Sequence, residues 1–141
     1  MSKLKLMALD SEDLEVISSC CQDAVTKIGD LEYLAKEQRF VMTINRFAWE
    51  IDGAKERHRS ILHFERVESV KLQGIDQTSK GMVISLLAVL FEPGTEPGGT
   101  IELVFAGDGA IRLEVECIEA QLSDMPAAWE AKSRPSHDQG A

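Results

Sequence analysis

The sequence has no long apolar segment, because none of its runs approaches the ~18 consecutive apolar residues that a membrane-spanning helix requires. Its first ten residues, MSKLKLMALD, contain two lysines, but the apolar part is short and ends in an acid. A secretory signal peptide needs a longer apolar centre, so we expect none here. These absences predict a cytoplasmic protein that does not bind a membrane.

Cysteine is also scarce, and the three that occur do not form a disulfide framework. Cys20 and Cys21 are adjacent, and Cys117 lies far along the chain. Adjacent residues on a helix point about 100° apart because one turn takes ~3.6 residues, so this pair cannot form a disulfide. We therefore expect three reduced thiols. None lies in a basic setting that would activate it as a nucleophile.

Positive charge is in deficit, with 15 lysines and arginines against 24 acids and a net charge of −9. Residues 92–130 hold nine acids and one arginine, whereas residues 55–71 hold five bases and three acids. A protein that binds nucleic acid needs a basic face to meet the phosphates. The sequence therefore excludes nucleic acid as a partner.

Candidate catalytic and metal-binding groups are present but have no recognisable spacing. Glu102, Glu114 and Glu116 fall on neighbouring predicted strands with Arg112, where carboxylates could hold a metal or transfer protons. Alternation of charge opposite an apolar face is more typical of a solvated outer face. The three histidines lack the close spacing of zinc ligands. We expect no metal, no cofactor and no catalytic residues.

The first part of the chain reads as a strand, a helix and a hairpin. Residues 3–9 alternate as a strand does, and Asp10 or Ser11 caps a helix over residues 11–24 whose single apolar stripe predicts packing on a sheet. From Gly29 the apolar period becomes two. It predicts a hairpin over residues 30–50 with its turn at AKEQ, followed by the charged loop DGAKERHRS.

The second part of the chain reads as further strands and a short helix. The pattern of residues 60–65 predicts a strand, which the segment ERV interrupts and which resumes at Val70. The segment MVISLLAVLF is apolar on both faces, which is typical of a central strand covered on both sides. After the loop EPGTEPGG, TIELVF and IRLEVECIEAQL form a last hairpin, and SDMPAAWEAK forms a short C-terminal helix. We expect one domain over residues 1–132 and a disordered tail over residues 133–141.

The alternation slips twice, and each slip bears on the shape of the sheet. In IRLEVECIEAQL the apolar set changes phase at Ile118, and in the hairpin it changes phase near Arg46. Either a β-bulge absorbs the extra residue, or the strand is buried on both faces there. The bulge is favoured because Glu116 and Glu119 flank the first slip. Two bulges predict an α+β fold with a strongly curved, mainly antiparallel sheet, a half-open barrel or roll with the N-terminal helix packed on it.

One surface patch, formed by NRFAWE and KERHR, could bind a ligand. Arg46, Trp49, Arg57 and Arg59 would line a rim for a small anion or an acidic partner surface. In the opposing interpretation, Phe47 and Trp49 belong to the core and the arginines are only solvated. The sequence leaves both interpretations open.

Three long segments resemble one known family. They are LKLMALDSEDLEVIS, DLEYLAKEQRFVMTINRFAWE and GTIELVFAGDGAIRLEVECIEAQLSD. From Leu4 to about Arg134 the chain is similar to the uncharacterised bacterial family called domain of unknown function 2948. The resemblance implies a small bacterial cytoplasmic protein with no assigned activity, and it supplies no catalytic residues.

These observations favour a protein that acts by binding rather than by catalysis. We expect an interaction or adaptor protein that forms a homodimer or binds another protein. The alternative is a binder, or even a hydrolase, of a small anionic metabolite in the concave face of the sheet. The two differ in one feature, because an adaptor needs an exposed apolar patch, whereas a ligand-binding protein needs a pocket with convergent polar groups.

Overall fold

The computed structural model describes residues 4–47 and 57–125. In these two ranges the chain forms ten β-strands, one α-helix and two short 3₁₀ turns. The strands are β1 Lys5–Ala8, β2 Ala24–Lys27, β3 Leu31–Leu34, β4 Arg39–Phe47, β5 Arg57–Phe64, β6 Val67–Gln73, β7 Val83–Pro93, β8 Gly99–Phe105, β9 Ala110–Val115 and β10 Ala120–Asp124. The helix, α1, is Ser11–Cys20, and the 3₁₀ turns are Ile28–Asp30 and Ala35–Glu37.

All ten strands of the described residues belong to one antiparallel sheet, ordered β1-β10-β5-β4-β2-β7-β8-β9-β6, with β3 paired to β4. We call β1, β10, β5, β4 and β3 the front section, and β2, β7, β8, β9 and β6 the back section. Strand β2 pairs with β4 only through Val25 and Asn45, so the strand pairing that joins the two sections is one residue pair wide. The end strands β1 and β6 do not pair with each other, so the sheet is not a closed barrel. The predicted α+β, mainly antiparallel fold is confirmed at this level.

The helix begins where the sequence predicts and ends earlier. The side chain of Asp10 accepts a hydrogen bond from the backbone N–H of Asp13 at 2.8 Å, and Leu14 and Ile17 are buried. The prediction that the helix reaches residue 24 is wrong, because the backbone turns at Asp23 (φ 65°) and Ala24 begins β2. The hydroxyl of Ser18 accepts a hydrogen bond from the backbone N–H of Val89 at 2.9 Å, which ties α1 to β7.

Both sections contribute to one hydrophobic core. Its fully buried large side chains include Leu14, Ile17, Met42, Ile44, Leu62, Phe64, Leu86, Ile101, Leu103, Phe105 and Ile111. The three cysteines lie among the described residues, and no disulfide joins them there, as predicted. No helix in the described part of the chain is long and apolar enough to cross a membrane.

The bulge predicted near Asn45–Arg46 is wrong. Strand β4 pairs with β5 without interruption from Phe40 to Phe47. Its inner face is Phe40, Met42, Ile44 and Arg46, all buried. The alternation of inner and outer side chains continues through Arg46. It looked interrupted in the sequence because this last inner position holds an arginine and not an apolar residue.

The bulge predicted near Ile118 is also wrong, because two different strands meet there. Strand β9 ends at Val115 and pairs with β6 and β8, whereas β10 begins at Ala120 and pairs with β1 and β5. The chain therefore bends from the back section to the front section. The chain also crosses between the sections at Arg66, which links β5 to β6. The two connections lie side by side, since the N–H of Glu116 donates to the carbonyl oxygen of Arg66 at 3.0 Å.

Two further predictions are wrong, and others concern residues outside the described ranges. The charged loop is shorter than predicted, because residues 57–60 already belong to β5. Ser123 and Asp124 end strand β10 and do not begin a helix. The rest of the predicted C-terminal helix and the predicted tail fall outside the described residues.

Candidate functional site

Arg46, one of the four predicted binding residues, lies inside the protein. Its side chain is 0% exposed at the end of the inner face of β4. The guanidinium forms a bidentate ion pair with Asp124 of β10, with Nε 3.0 Å from Oδ1 and Nη2 2.8 Å from Oδ2. Arg46 therefore joins two strands of the front section and does not contribute to a surface rim.

The carboxylate of Asp124 is saturated with hydrogen bonds. Besides the two from Arg46, it accepts one from Ser60 Oγ at 2.6 Å, one from His58 Nδ1 at 2.9 Å and one from the backbone N–H of Leu4 at 3.0 Å. Burial disfavours the charged form of Asp124 and by itself would raise its pKa. The hydrogen bonds from Arg46, Ser60, His58 and Leu4 outweigh it and hold the pKa of Asp124 well below its ordinary value. We call Arg46, His58, Ser60 and Asp124 the buried cluster.

The buried cluster contains a serine, a histidine and an aspartate, but they are not arranged for nucleophilic catalysis. Ser60 Oγ donates to Asp124 and not to His58, so the histidine is not placed to remove the hydroxyl proton as in a catalytic triad. Because an ionised carboxylate only accepts, His58 Nδ1 is the donor in its contact with Asp124. Nearby, burial and the neighbouring Cys20 raise the pKa of Cys21 to about 12, so this thiol stays protonated at neutral pH. The cluster is suited to holding strands together.

Two of the other predicted binding residues share the outer face of β5. Arg57 is exposed, and its guanidinium carbon lies 4.1 Å from the centre of the Phe47 ring. Arg59, two residues on, is half-buried, and its Nε is buried without a hydrogen-bond partner among the described residues. Trp49, the fourth, lies outside the described residues. The structure thus brings Arg57 and Arg59 to one face and separates them from Arg46.

The predicted carboxylate group lies on the outer face of the back section. Arg112 Nη1 is 3.5 Å from Glu102 Oε2, and Arg112 Nη2 is 3.3 Å from Glu92 Oε1. Glu114 instead accepts a hydrogen bond from Thr100 Oγ1 at 2.9 Å, and Glu116 follows the end of β9. Within residues 4–47 and 57–125, no three histidine, cysteine or acidic side chains are grouped so that they could hold a metal ion.

The most unusual surface of the described residues is the outer face of β7. Val83 is 55% exposed, Leu87 42% and Leu90 51%. The prediction that this strand is covered on both sides is therefore wrong at these positions. The pairing of β7 with β8 shifts between Leu86 and Ala88, which places Leu87 at an irregularity in the strand.

Half-buried neighbours widen this apolar surface. Ala88 lies opposite Val104 of β8, and Val25 of β2 lies opposite Ser85. We call the apolar residues of this face the outer strip; they are Val25, Val83, Leu87, Ala88, Leu90 and Val104. An apolar patch on a central strand typically marks an interaction site. The sequence contained the signal, a run that is apolar on both faces, but not the fact that one face has no cover among residues 4–47 and 57–125.

Charges of opposite sign lie at the two ends of the outer strip. Exposed Lys27 lies directly opposite Val83 in the β2–β7 pairing. Glu102 lies opposite Leu90 at the other end, and Glu92 follows two residues along β7. A shallow depression of about 380 Å³ beside Leu90 is bordered by Glu92, Glu102 and Arg112. The outer strip therefore has a basic end and an acidic end.

Comparison with known proteins adds a family but no activity. A family model described as "Protein of unknown function (DUF2948)" matches residues 4–137, which is nearly the whole chain. No curated protein matches the sequence, and no solved structure matches the fold. The predicted resemblance is thereby confirmed, and the chain belongs to the DUF2948 family, whose function is unknown.

Proposed function

We propose that this protein acts by binding protein, and that the outer strip joins two copies into a homodimer. The observation that supports the proposal is the exposure of Val83, Leu87 and Leu90 on one face of a strand in the middle of the sheet. Monomeric proteins rarely leave a contiguous aliphatic surface on a central strand without a partner. Leu87 lies near the middle of the strip and would be the centre of the contact.

The charges at the ends of the strip favour a second copy as the partner. In a two-fold symmetric dimer the same surface of both chains forms the contact, and an axis that runs across β7 places the two copies in opposite directions. With the symmetry axis near Leu87, the Lys27 end of one chain lies opposite the Glu92 and Glu102 end of the other. Val83 and Leu90 are seven residues apart, or roughly 23 Å along a strand. Both ends would therefore gain an attraction, although the chain as a whole is acidic.

Other features support the same kind of function. A single core shared by both sections supports one domain with the shape of a half-open roll, which leaves the outer face of β7 free for a partner. Cysteines that form no disulfide among the described residues support a reducing compartment such as the cytoplasm. Arg57 and Arg59, with Trp49 nearby in sequence, would offer the dimer a basic surface on each copy for an acidic partner or anion. Arg46 would support that surface from inside.

The association is tested by measuring the mass of the full chain in solution by sedimentation equilibrium, with the Leu87→Asp variant. We expect twice the chain mass for the unmodified protein and one chain mass for the variant, because two aspartates would face each other near the axis. The control is Val16→Asp on α1, since Val16 is 50% exposed but lies away from the strip. A monomeric unmodified protein, or a Leu87→Asp variant that still dimerises, would contradict the proposal.

A charge exchange sharpens the test of orientation. Lys27→Glu should weaken dimerisation roughly fivefold, because like charges then meet at both ends of the strip. Adding Glu92→Lys to the same chain should restore the affinity, since each chain then presents the reversed pair. If the double variant dimerises no better than Lys27→Glu, the two chains do not meet in the proposed direction.

A further inference from the structure

A cleft separates the open edges of β3 and β6. Each of these strands has one pairing partner among the described residues, β4 for β3 and β9 for β6. At one end of the gap, Tyr33 Oη donates to the carbonyl oxygen of Val67 at 2.8 Å, and the N–H of Val67 donates to the carbonyl oxygen of Gln38 at 2.8 Å. At the other end, the N–H of Gly29 donates to the carbonyl oxygen of Lys80 at 2.9 Å. We call the space between these contacts the seam cleft.

The seam cleft has a volume of about 240 Å³ and a mainly apolar wall. The apolar lining consists of Ile28, Leu31, Tyr33, Phe40, Val70 and Leu72. Several of these side chains are only partly buried although they pack against the core, so the cleft exposes part of the hydrophobic interior. Its volume is below the ~300–1,000 Å³ of sites for drug-sized ligands, which favours a small molecule with an apolar body.

The polar groups of the cleft are a cation and an amide. Gln77 and Lys80, on the loop between β6 and β7, complete the lining, which contains no acid. Lys80 forms no ion pair with any described residue. The cleft therefore combines an apolar wall with one available positive charge.

The loop that bears these two polar groups is held in place by Asp76. The carboxylate of Asp76 accepts hydrogen bonds from the backbone N–H of Thr78 at 3.0 Å, from Thr78 Oγ1 at 2.6 Å and from Ser79 Oγ at 3.2 Å. The N–H of Ile28 also donates to the carbonyl oxygen of Met82 at 2.9 Å. Because the loop is fixed from both sides, the backbone that bears the exposed Lys80 side chain is in place before any ligand arrives, which lowers the entropic cost of ordering the loop on binding.

We propose that the seam cleft binds a small amphipathic carboxylate, with its aliphatic or aromatic body between Leu31, Val70 and Leu72 and its carboxylate at Lys80. The ammonium of Lys80 and the amide of Gln77 donate to the carboxylate oxygens. The site shares no residue with the outer strip, so it is independent of the proposed dimer.

The test uses sodium octanoate as the probe, with octanol and octylamine as probes of the same length and different head group. The full chain with isotope-labelled methyl groups is titrated and followed by NMR. We expect saturable shifts at the methyl groups of Leu31, Val70 and Leu72 with octanoate, weaker binding of octanol and none of octylamine. Absence of saturable binding, or shifts confined to the outer strip, would overturn the proposal.

Two lysine variants separate the charge of the cleft from the charge of the whole protein. Lys80→Met should weaken octanoate binding roughly tenfold, because it removes a charge-assisted hydrogen bond, and should leave octanol binding unchanged. Lys71→Met is the matched control, since Lys71 is an exposed lysine on β6 outside the lining. Equal effects of the two substitutions on octanoate, or equal affinities of the unmodified protein for octanoate and octanol, would show that Lys80 does not recognise a carboxylate.

Discussion

On β4 a charged residue lies inside the protein, whereas on β7 aliphatic residues lie outside. Arg46 is fully buried with Asp124, and Leu87 and Leu90 are about half exposed. Both depart from the rule that apolar side chains are buried and charged ones are not. They differ in whether the rest of the chain satisfies them. Asp124 accepts five hydrogen bonds and so compensates the buried charge of Arg46, whereas the outer strip has no cover among the described residues.

The difference separates a structural feature from an interaction surface. A buried charge is tolerated only when its partners are complete, and then it fixes the strands that supply them. The buried cluster draws on β4, β5, β10 and the backbone just before β1, so it joins all the strands of the front section except β3. An exposed apolar surface gains nothing from the fold of its own chain and gains free energy only when something covers it. The first feature therefore predicts effects on folding, and the second predicts effects on association.

The largest effect is expected from Asp124→Ala. The substitution leaves the guanidinium of Arg46 buried without its carboxylate, and breaking a buried ion pair in this way costs about 3–5 kcal/mol. Urea denaturation should show the loss in the free energy of unfolding. The matched control is Glu119→Ala, because the exposed pair of Arg66 and Glu119, 3.4 Å apart, should be worth less than about 1 kcal/mol. Similar losses for the two variants would show that the buried cluster does not stabilise the fold.

The next largest effect is expected from Asp124→Asn. Asp124 should make the stability of the fold depend on pH in the acidic range, and the substitution should remove this dependence. The pKa of Asp124 is lower in the folded chain than its ordinary value of 3.8. The stabilisation is therefore complete above that value and is lost as the pH falls below it towards the folded pKa. The difference in unfolding free energy between the unmodified protein and Asp124→Asn should shrink as the pH falls below 3.8. A difference that stays constant across this range would mean that Asp124 does not bear the charge of the cluster.

The same contrast explains what the sequence could predict and what it could not. Alternation correctly indicated the hairpin of β3 and β4 and the turn between them, because these features depend on neighbours in sequence. It misplaced a bulge at Arg46, because the partner that permits a buried arginine, Asp124, is 78 residues away. Alternation also could not show that the segment around Ile118 connects two strands, since the partners of β9 and β10 are set by the whole sheet.

The predictions that Arg46 lies on the surface and that β7 is covered on both faces failed for a related reason. Arginine suggested a surface rim, and a run that is apolar on both faces suggested a covered strand, yet burial at both places depends on the rest of the fold. Of the four residues expected to form the rim, Arg57 and Arg59 share an outer face, Arg46 is buried, and Trp49 lies outside the described residues. The seam cleft had no local signal, because β3 and β6 are brought together only by the order of the strands.

The smallest effect on folding is expected at the outer strip itself. Leu90→Ser should change the unfolding free energy of the dissociated chain by no more than about 0.5 kcal/mol, since Leu90 already meets water. The control on the same strand is Leu86→Ala. Leu86 is 1% exposed, so this substitution should cost about 2–5 kcal/mol. Both are measured by urea denaturation at a protein concentration low enough to dissociate the dimer. A large loss for Leu90→Ser under these conditions would mean that the chain itself covers this face, and the outer strip would then belong to the fold and not to a partner.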